Sequence, residues 1–181
     1  MPELPEVETI RRQLAPLVVG RTLERVRIGD PRWTRPLAPA AVEDALTGRV
    51  VERLSRRGKY LVWELGEEVF LIQHLRMTGT VLHDAPAGTP HVHVRMDLSD
   101  GHAIAISDPR RFGTGELALG EAARQAFFAA RLGIEPLDGA LDGPALRAIV
   151  RGRRAPIKAV LLDQRNIAGV GNIYADEALH R

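Results

Sequence analysis

Short runs of hydrophobic residues, many of them alternating with polar ones, occupy the first two thirds of the chain. Val92, Val94, Met96 and Leu98 alternate with polar residues, which is typical of a strand with one buried face. Runs of this kind predict strands at 22–28, 50–55, 60–65, 69–74, 92–98 and 102–107. Turn sequences rich in glycine and acidic residues separate several of them. We therefore expect a compact sheet domain of two antiparallel layers.

Helical spacing appears at the start of the chain and again in its last third. Val7, Ile10 and Leu14 recur at helical spacing and predict a helix over 5–15, closed by Pro16. The remaining predicted helices lie at 40–46, 121–131, 143–151, 156–163 and 172–179. The pattern predicts an α+β fold. An N-terminal antiparallel β-sandwich with flanking helices spans 1–131, and a helical domain spans 132–181.

Composition narrows the class of protein. The 181 residues are 45% hydrophobic, enough for one full core and a small second domain. The absence of cysteine excludes disulfides and thiolate metal sites, a four-cysteine zinc finger among them. The apolar runs are too short to cross a bilayer, and no leader is evident. We expect a cytoplasmic protein with no membrane partner.

The basic residues favour a nucleic-acid partner through their clustering. The net charge is only +2, but bases gather at 56–59, at Arg110-Arg111 and at 151–158, each beside Gly or Pro. Such clusters fit contacts to backbone phosphates, although a solvated face is the usual alternative.

Only two of the 25 bases are lysines, Lys59 and Lys158. Lysine can lose its proton and arginine cannot, so we mark both as candidates, with chance retention as the alternative.

The first residues carry a candidate nucleophile. The small side chain of Pro2 predicts removal of Met1, which would expose a secondary α-amine. An α-amine has a pKa near ~8, well below that of a lysine side chain at ~10.4. Its attack on an aldehyde-like carbon gives an iminium, a strong electron sink. Glu3 and Glu6 could move protons nearby. The alternative is an ordinary helix start, with Pro5 and acids in its first turn.

Six segments, in order along the whole chain, resemble the formamidopyrimidine-DNA glycosylase and endonuclease VIII family. They are Pro2-Glu3-Leu4-Pro5-Glu6-Val7-Glu8, Gly58-Lys59-Tyr60-Leu61, His74-Leu75-Arg76-Met77-Thr78-Gly79, Asp108-Pro109-Arg110-Arg111-Phe112-Gly113, Leu132-Gly133-Ile134-Glu135-Pro136-Leu137, and Ile157-Lys158 through Asp163-Gln164 to Gly169-Val170-Gly171-Asn172-Ile173-Tyr174-Ala175-Asp176-Glu177. Leu4 favours the formamidopyrimidine branch, because the other branch more often has glycine there.

The resemblance implies a bifunctional DNA glycosylase and AP lyase of base excision repair that removes oxidised purines such as formamidopyrimidines and 8-oxoguanine. It implies that Pro2 attacks the sugar of a nucleotide flipped out of damaged double-stranded DNA. Glu3 would be the proton donor at the sugar, and Glu6 would order the site. Lys59 would assist proton transfer in β-elimination. A phosphate contact is the alternative role for Lys59.

The resemblance also implies DNA contacts. Met77, Arg110 and Phe112 match a wedge that fills the gap in the base stack, although apolar residues such as Met77 and Phe112 are more often core. The last third would form a helix-two-turns-helix whose glycines approach DNA and whose final helix binds phosphate through its first amides. The other implied or cluster-based contacts are His91, Arg111, Arg153, Lys158 and Asn172. We expect His74 to be structural.

Departures from the family pattern leave alternatives open. The family's zinc finger and the loop that closes over the flipped base are absent, so we expect no metal or cofactor and a protein cut near the end of a helix. Arg76 stands where many members have glycine, and Gly152 where a base is common. We expect a monomer. The rival functions are an endonuclease VIII-like enzyme for oxidised pyrimidines and a non-catalytic binder of damaged DNA.

Overall fold

The computed structural model describes residues 2–180, which contain eight strands and six helices. The strands are β1 Leu23–Ile28, β2 Val51–Arg57, β3 Tyr60–Leu65, β4 Val69–His74, β5 Thr80–His83, β6 Val92–Leu98, β7 Ala103–Ser107 and β8 Thr114–Leu119. The helices are α1 Leu4–Val18, α2 Pro39–Leu46, α3 Glu121–Ala129, α4 Gly143–Val150, α5 Ile157–Leu162 and α6 Asn172–His180. No helix in this part of the chain is long and apolar enough to span a membrane.

The strands form two four-stranded antiparallel sheets, as the alternation of buried and polar residues predicts. One sheet has the order β1-β6-β7-β5 and the other β2-β3-β4-β8. Their facing sides bury one hydrophobic core, which includes Trp63, Leu71, Met96 and Ile104. The predicted α+β fold, a β-sandwich followed by a helical part, is confirmed.

Two strands and part of one helix depart from the prediction. The four-residue β5 lies directly after a turn and is too short to show alternation. In β8, the ring of Trp33 covers Gly115 so closely that a Cβ there would lie 2.1 Å from it, and the required glycine breaks the strand pattern. Helix α1 continues through Pro16 to Val18, so the prediction that Pro16 closes it is wrong.

Helix α3 covers the outer face of one sheet and leads to the second domain. Helix α3 packs against the outside of the β2-β3-β4-β8 sheet, where Phe128 meets Val62 and Phe70. Beyond α3, the amide of Leu132 donates to the carbonyl of Phe128 at 2.8 Å, and Ile134 forms a parallel bridge with Ile167. The domain division at 131/132 stays a prediction.

Candidate reaction centre and nucleic-acid interface

Glu3 joins the first helix to the last. It precedes α1 and is only 1% exposed, because its carboxylate lies at the start of α6. Oε2 accepts hydrogen bonds from the amides of Gly171 at 2.8 Å and Tyr174 at 3.3 Å, and Oε1 accepts one from Ile173 at 2.9 Å. The first amides of a helix have no partner within the helix and favour negative charge. The carboxylate is therefore fixed in position by backbone groups about 170 residues away in sequence.

Two glycines make this contact possible. A Cβ on Gly171 would lie 2.3 Å from Cδ of Glu3, and one on Gly169, whose φ is +88°, would lie 2.6 Å from the side chain of Leu4. The sequence predicted that these glycines serve close approach to DNA and that the amides of α6 bind phosphate. In the structure both glycines lie against the start of α1, and Glu3 accepts from the amides of Gly171, Ile173 and Tyr174. Phosphate binding at this helix start stays a prediction.

Glu6 also belongs to this junction, the contact between the start of α1 and the start of α6. One of its partners there, Tyr174, is a residue that the sequence did not single out. The carboxylate of Glu6 accepts hydrogen bonds from the amide of Glu3 and from the hydroxyl of Tyr174, both at 2.9 Å. Partial burial raises the pKa of Glu6, but hydrogen bonds, those from the Glu3 amide and Tyr174 foremost, contribute to a net lowering. Tyr174 lies in the last matching segment, but nothing in its spacing marked it as a partner of Glu6.

Lys59 lines a cavity between the two domains. It sits in the tight turn between β2 and β3, is 7% exposed, and faces a cavity of about 290 Å³. The other lining residues are His74, Arg76, Leu162, Gln164, Val170, Gly171 and Asn172. Burial lowers the pKa of the Lys59 ammonium, and the charge of Glu3 partly restores it. Lys59, Asn172 and the junction at Glu3 thus come together, as expected for residues of one site.

Buried ion pairs hold the turn that carries Lys59. Glu135, at the start of the second domain, accepts hydrogen bonds from the amide of Gly58 at 2.8 Å and from Nη1 of Arg56 at 2.9 Å. Arg56 also donates to Glu8 of α1 at 3.2 Å, and the side chains of Arg56 and Glu135 are 7% and 4% exposed. Sequence reasoning placed Arg56 in a basic cluster and missed this role. Glu135 lay inside a family segment without an assigned function.

His74 lies behind Lys59 in the cavity wall. Its Nδ1 accepts the amide of Arg76 at 2.9 Å, and its ring packs edge-on against Tyr60 with centroids 4.6 Å apart. Burial lowers the pKa of His74 to about 3, and repulsion from Arg76 and Lys59 acts in the same direction. The imidazole is therefore neutral at pH 7. These contacts agree with the structural role expected for it.

Met77 and Phe112 project from two adjacent loops at one end of the sandwich. They are 42% and 52% exposed, which rules out the alternative that they belong to the core. Asp108 ties the loops together: its carboxylate accepts the hydroxyl of Thr78 at 2.5 Å, and the amides of Phe112 at 2.9 Å and Gly113 at 2.8 Å. The sequence predicted the exposed apolar pair and missed the buried acid that positions it.

Basic residues surround this apolar pair. The guanidinium of Arg110 lies over the ring of Phe112, 4.8 Å from its centroid. Exposed His91 is adjacent, since its carbonyl accepts the amide of Asp108 at 3.0 Å. Arg111 is half exposed and lies 3.9 Å from Asp30. These expected DNA contacts therefore share one surface with the wedge residues.

Arg76 shows why glycine suits its position. Its φ is +56°, in the left-handed region that glycine adopts without steric cost. The backbone amide of Arg76 bonds His74, and the side chain is exposed. Arginine at this position, where many family members have glycine, therefore places a strained backbone at the rim of the cavity.

The remaining basic candidates lie on the second domain and already have partners. Lys158 on α5 pairs with Asp176 on α6 at 2.6 Å, and both side chains are well exposed. Arg153 donates to the side chain of Asn166 at 2.9 Å. They are separate from the cavity that Lys59 and Asn172 line. The expected loss of Met1 concerns a residue outside the described range 2–180.

Two family descriptions match the chain, one for each part of the fold. Residues 1–115 match the "Formamidopyrimidine-DNA glycosylase N-terminal domain", and residues 132–181 match the "Formamidopyrimidine-DNA glycosylase H2TH domain". The fold and the site therefore define a protein of the two-domain class that joins a β-sandwich to a helix-two-turns-helix.

Relatives and solved structures agree with both matches. Proteins named formamidopyrimidine-DNA glycosylase from Cereibacter sphaeroides and Halorhodospira halophila are 45% and 48% identical over 100% of this chain and 67% of their own length. A Lactococcus lactis Fpg in complex with DNA containing an abasic site is similar, with a TM-score of 0.89 and 37% identity over 98% of this chain and 65% of that one.

A MutM structure with DNA containing carbocyclic 8-oxo-G is also similar, with a TM-score of 0.90 and 37% identity over 98% of this chain and 68% of that one. The chain belongs to the formamidopyrimidine-DNA glycosylase family. It spans about two thirds of the length of the relatives that it matches.

Proposed function

We propose that this chain excises oxidised purines from double-stranded DNA and then cleaves the strand by β-elimination, through an iminium formed on Pro2. The observation that carries the proposal is the convergence of Glu3, the residue after Pro2, with Lys59 and the start of α6 at one interdomain cavity. The solved relatives support the substrate class, since their DNA contains an abasic site, 8-oxo-G or Fapy-dG.

The exposed side chains of Met77 and Phe112 would give the protein access to a damaged base inside the duplex. A base inside a duplex has to be flipped out before chemistry can take place. Met77 and Phe112 are exposed apolar side chains on loops that Asp108 holds rigid, and such wedges can separate stacked bases. In the proposal, Arg110 donates to the partner base that flipping leaves unpaired. His91, Arg111, Arg153, Lys158 and Asn172 contact the backbone.

The proposed chemistry has two stages that share one covalent intermediate. The neutral Pro2 nitrogen attacks C1′ of the flipped nucleotide, the glycosidic bond breaks, and the base leaves with the bonding electrons and takes a proton from solvent. The Glu3 carboxylate accepts the proton that the Pro2 amine loses and passes it to the ring oxygen of the sugar, the ring opens, and an iminium links Pro2 to C1′. Loss of a proton from C2′ then expels the 3′ phosphate by β-elimination, and water releases Pro2.

Lys59 is suited to the second stage because it is buried beside a carboxylate. Burial lowers the pKa of its ammonium, so a neutral amine that accepts a proton is more accessible than on an exposed lysine. The charge of Glu3 limits that shift. We propose that Lys59 carries the C2′ proton, which a fixed guanidinium cannot do.

Borohydride trapping tests the covalent step. Reduction should fix the protein to DNA containing an abasic site in a 1:1 adduct, and Pro2→Gly should trap far less. Pro39→Gly, the same change at the start of α2, is the matched control and should trap like the unaltered protein. If the unaltered protein binds the DNA but gives no adduct, the chain is a damage binder without lyase chemistry.

A lesion panel separates the two enzymatic classes. Duplexes with a single 8-oxoguanine or a single thymine glycol are incubated with the protein, and base release is measured. Faster release of 8-oxoguanine supports the purine assignment, while faster release of thymine glycol overturns it in favour of oxidised pyrimidines. Gel filtration of the protein with and without DNA checks the expected monomer.

A further inference from the structure

Three potential metal ligands meet at the side of the sandwich, in a group that shares no residue with the reaction centre. Nδ1 of His83 lies 3.4 Å from Oδ2 of Asp84, and Nδ1 of His102 lies 2.5 Å from the same oxygen. One ligand atom from each residue lies within 4.8 Å of the other two. The imidazole rings are tilted towards each other, with centroids 4.9 Å apart.

Backbone pairing holds the three residues together. His83 ends β5 and pairs with Ile104 of β7, while His102 directly precedes β7. The amide of Asp84 donates to the carbonyl of Ala103 at 2.8 Å, and Oδ1 of Asp84 accepts the amide of Ala103 at 2.9 Å. This second bond orients the carboxylate and leaves Oδ2 directed at the histidines. Carboxylates that bind metal ions are commonly oriented by a hydrogen bond of this kind.

We propose that His83, Asp84 and His102 bind one Zn²⁺ ion, with water completing the coordination. Two imidazoles and one carboxylate with an open position are a donor set that Zn²⁺ accepts. Ligands about 2.0–2.1 Å from a tetrahedral zinc lie about 3.3 Å from one another, close to the 3.4 Å between His83 and Asp84. The 2.5 Å hydrogen bond between His102 and Asp84 would open by about 1 Å as the ion replaces its proton. Mg²⁺ and Ca²⁺ prefer oxygen ligands and fit this set poorly.

The ion would reach the site directly from solvent. Asp84 and His102 are exposed and His83 is half-buried, so no opening of the fold is needed. Bound Zn²⁺ would link the end of β5 to the start of β7. Strand β5 begins just after the loop of Met77, so the link would restrain the strand that follows one wedge loop. The binding itself requires neither DNA nor the reaction centre.

Calorimetric titration of the untagged protein with ZnCl₂ tests the proposal. We expect one ion per chain, and about 10–100-fold weaker binding, or none, in the double variant His83→Asn/His102→Asn. Asp84→Asn keeps the acceptor for the Ala103 amide and should also weaken binding. His180→Asn, at an exposed histidine outside the cluster, should bind like the unaltered protein. Circular dichroism verifies that each variant is folded.

Two further measurements make the result decisive. Co²⁺ in place of Zn²⁺ should give the visible absorption of a tetrahedral centre, and MgCl₂ should give no heat. Zinc should raise the melting temperature of the unaltered protein and leave that of the double variant unchanged. Equal Zn²⁺ affinity in the unaltered protein and the folded double variant, or loss of binding in His180→Asn, overturns the proposal.

Discussion

The backbone amide of Gly58 donates a 2.8 Å hydrogen bond to Oε2 of Glu135, so an acid from the second domain holds the turn that carries Lys59. The same carboxylate neutralises Arg56 in the interior. The position of the lysine therefore depends on an ion pair that lies outside the cavity it lines.

Loss of the Glu135 carboxylate is expected to be costly. Glu135→Ala leaves the buried charge of Arg56 without this partner, and we expect the free energy of unfolding to fall by about 3–5 kcal/mol. Urea denaturation measures it. Glu67→Ala removes an acid that is 84% exposed and paired with Arg49, and should cost less than about 1 kcal/mol. Similar losses in the two variants would show that the buried pair has no special importance.

Gly171 is expected to tolerate no side chain. The added Cβ of Gly171→Ala would lie 2.3 Å from Cδ of Glu3, so the carboxylate or the start of α6 has to move. We expect a loss of about 1–3 kcal/mol in stability and reduced borohydride trapping. At Gly143 a Cβ has no neighbour within 4 Å, and Gly143→Ala should change stability by less than about 0.5 kcal/mol. Trapping by Gly171→Ala at the unaltered rate would contradict the assigned contact.

Replacing Arg76 by glycine should stabilise the protein. Its φ of +56° is costly for arginine and free for glycine, so Arg76→Gly should gain about 1 kcal/mol. Arg27→Gly is the control, since Arg27 is exposed in β1 and pairs in unbroken register with Arg95 of β6. There the same change should destabilise by about 0.5–1 kcal/mol. Thermal unfolding should thus give shifts of opposite sign, and a loss of stability in both variants would refute the strain at Arg76.

His74 should make stability depend on pH in weakly acidic solution. Its pKa is about 3 in the folded state and about 6.5 when exposed, so between these values the unfolded chain binds one proton more. Stability should therefore fall as the pH falls from 6.5 towards 3, by about 1.4 kcal/mol per pH unit from this residue. His74→Asn, whose amide oxygen can replace Nδ1, should reduce that slope, and His180→Asn should not. Unchanged slopes in denaturation at pH 4–7 would disprove the assignment.

The sequence predicted the regular parts of this fold, and it singled out Glu3 and Lys59, which the structure brings close together. Continuous hydrophobic runs sufficed for β3 and β4 and alternation for β6, and the bounds of all three agree with the prediction. The hydrophobic pattern failed for β8, because Gly115 is required by the ring of Trp33, a neighbour distant in sequence. The missed site residues, Glu135, Asp108 and Tyr174, act through long-range hydrogen bonds that leave no local pattern.

The glycines of the last segment illustrate the same limit. Their small size was evident from the sequence, and so was the need for close approach. The sequence did not show which group approaches them, because nothing local indicates that Glu3 lies against Gly171, 168 positions away. The sequence predicted an anion at the start of α6, and the structure shows that the Glu3 carboxylate is one such anion.

The junction of Glu3 with α6 has a consequence for the order in which the protein matures. During synthesis the amino terminus leaves the ribosome long before residues 171–174 do, and until then Glu3 has no amide partners from α6. A nascent or proteolytically shortened chain would thus carry Pro2, the nucleophile of the proposed function, without the contacts that fix Glu3 beside it. Competence for chemistry at the sugar should therefore appear late, when the last helix docks.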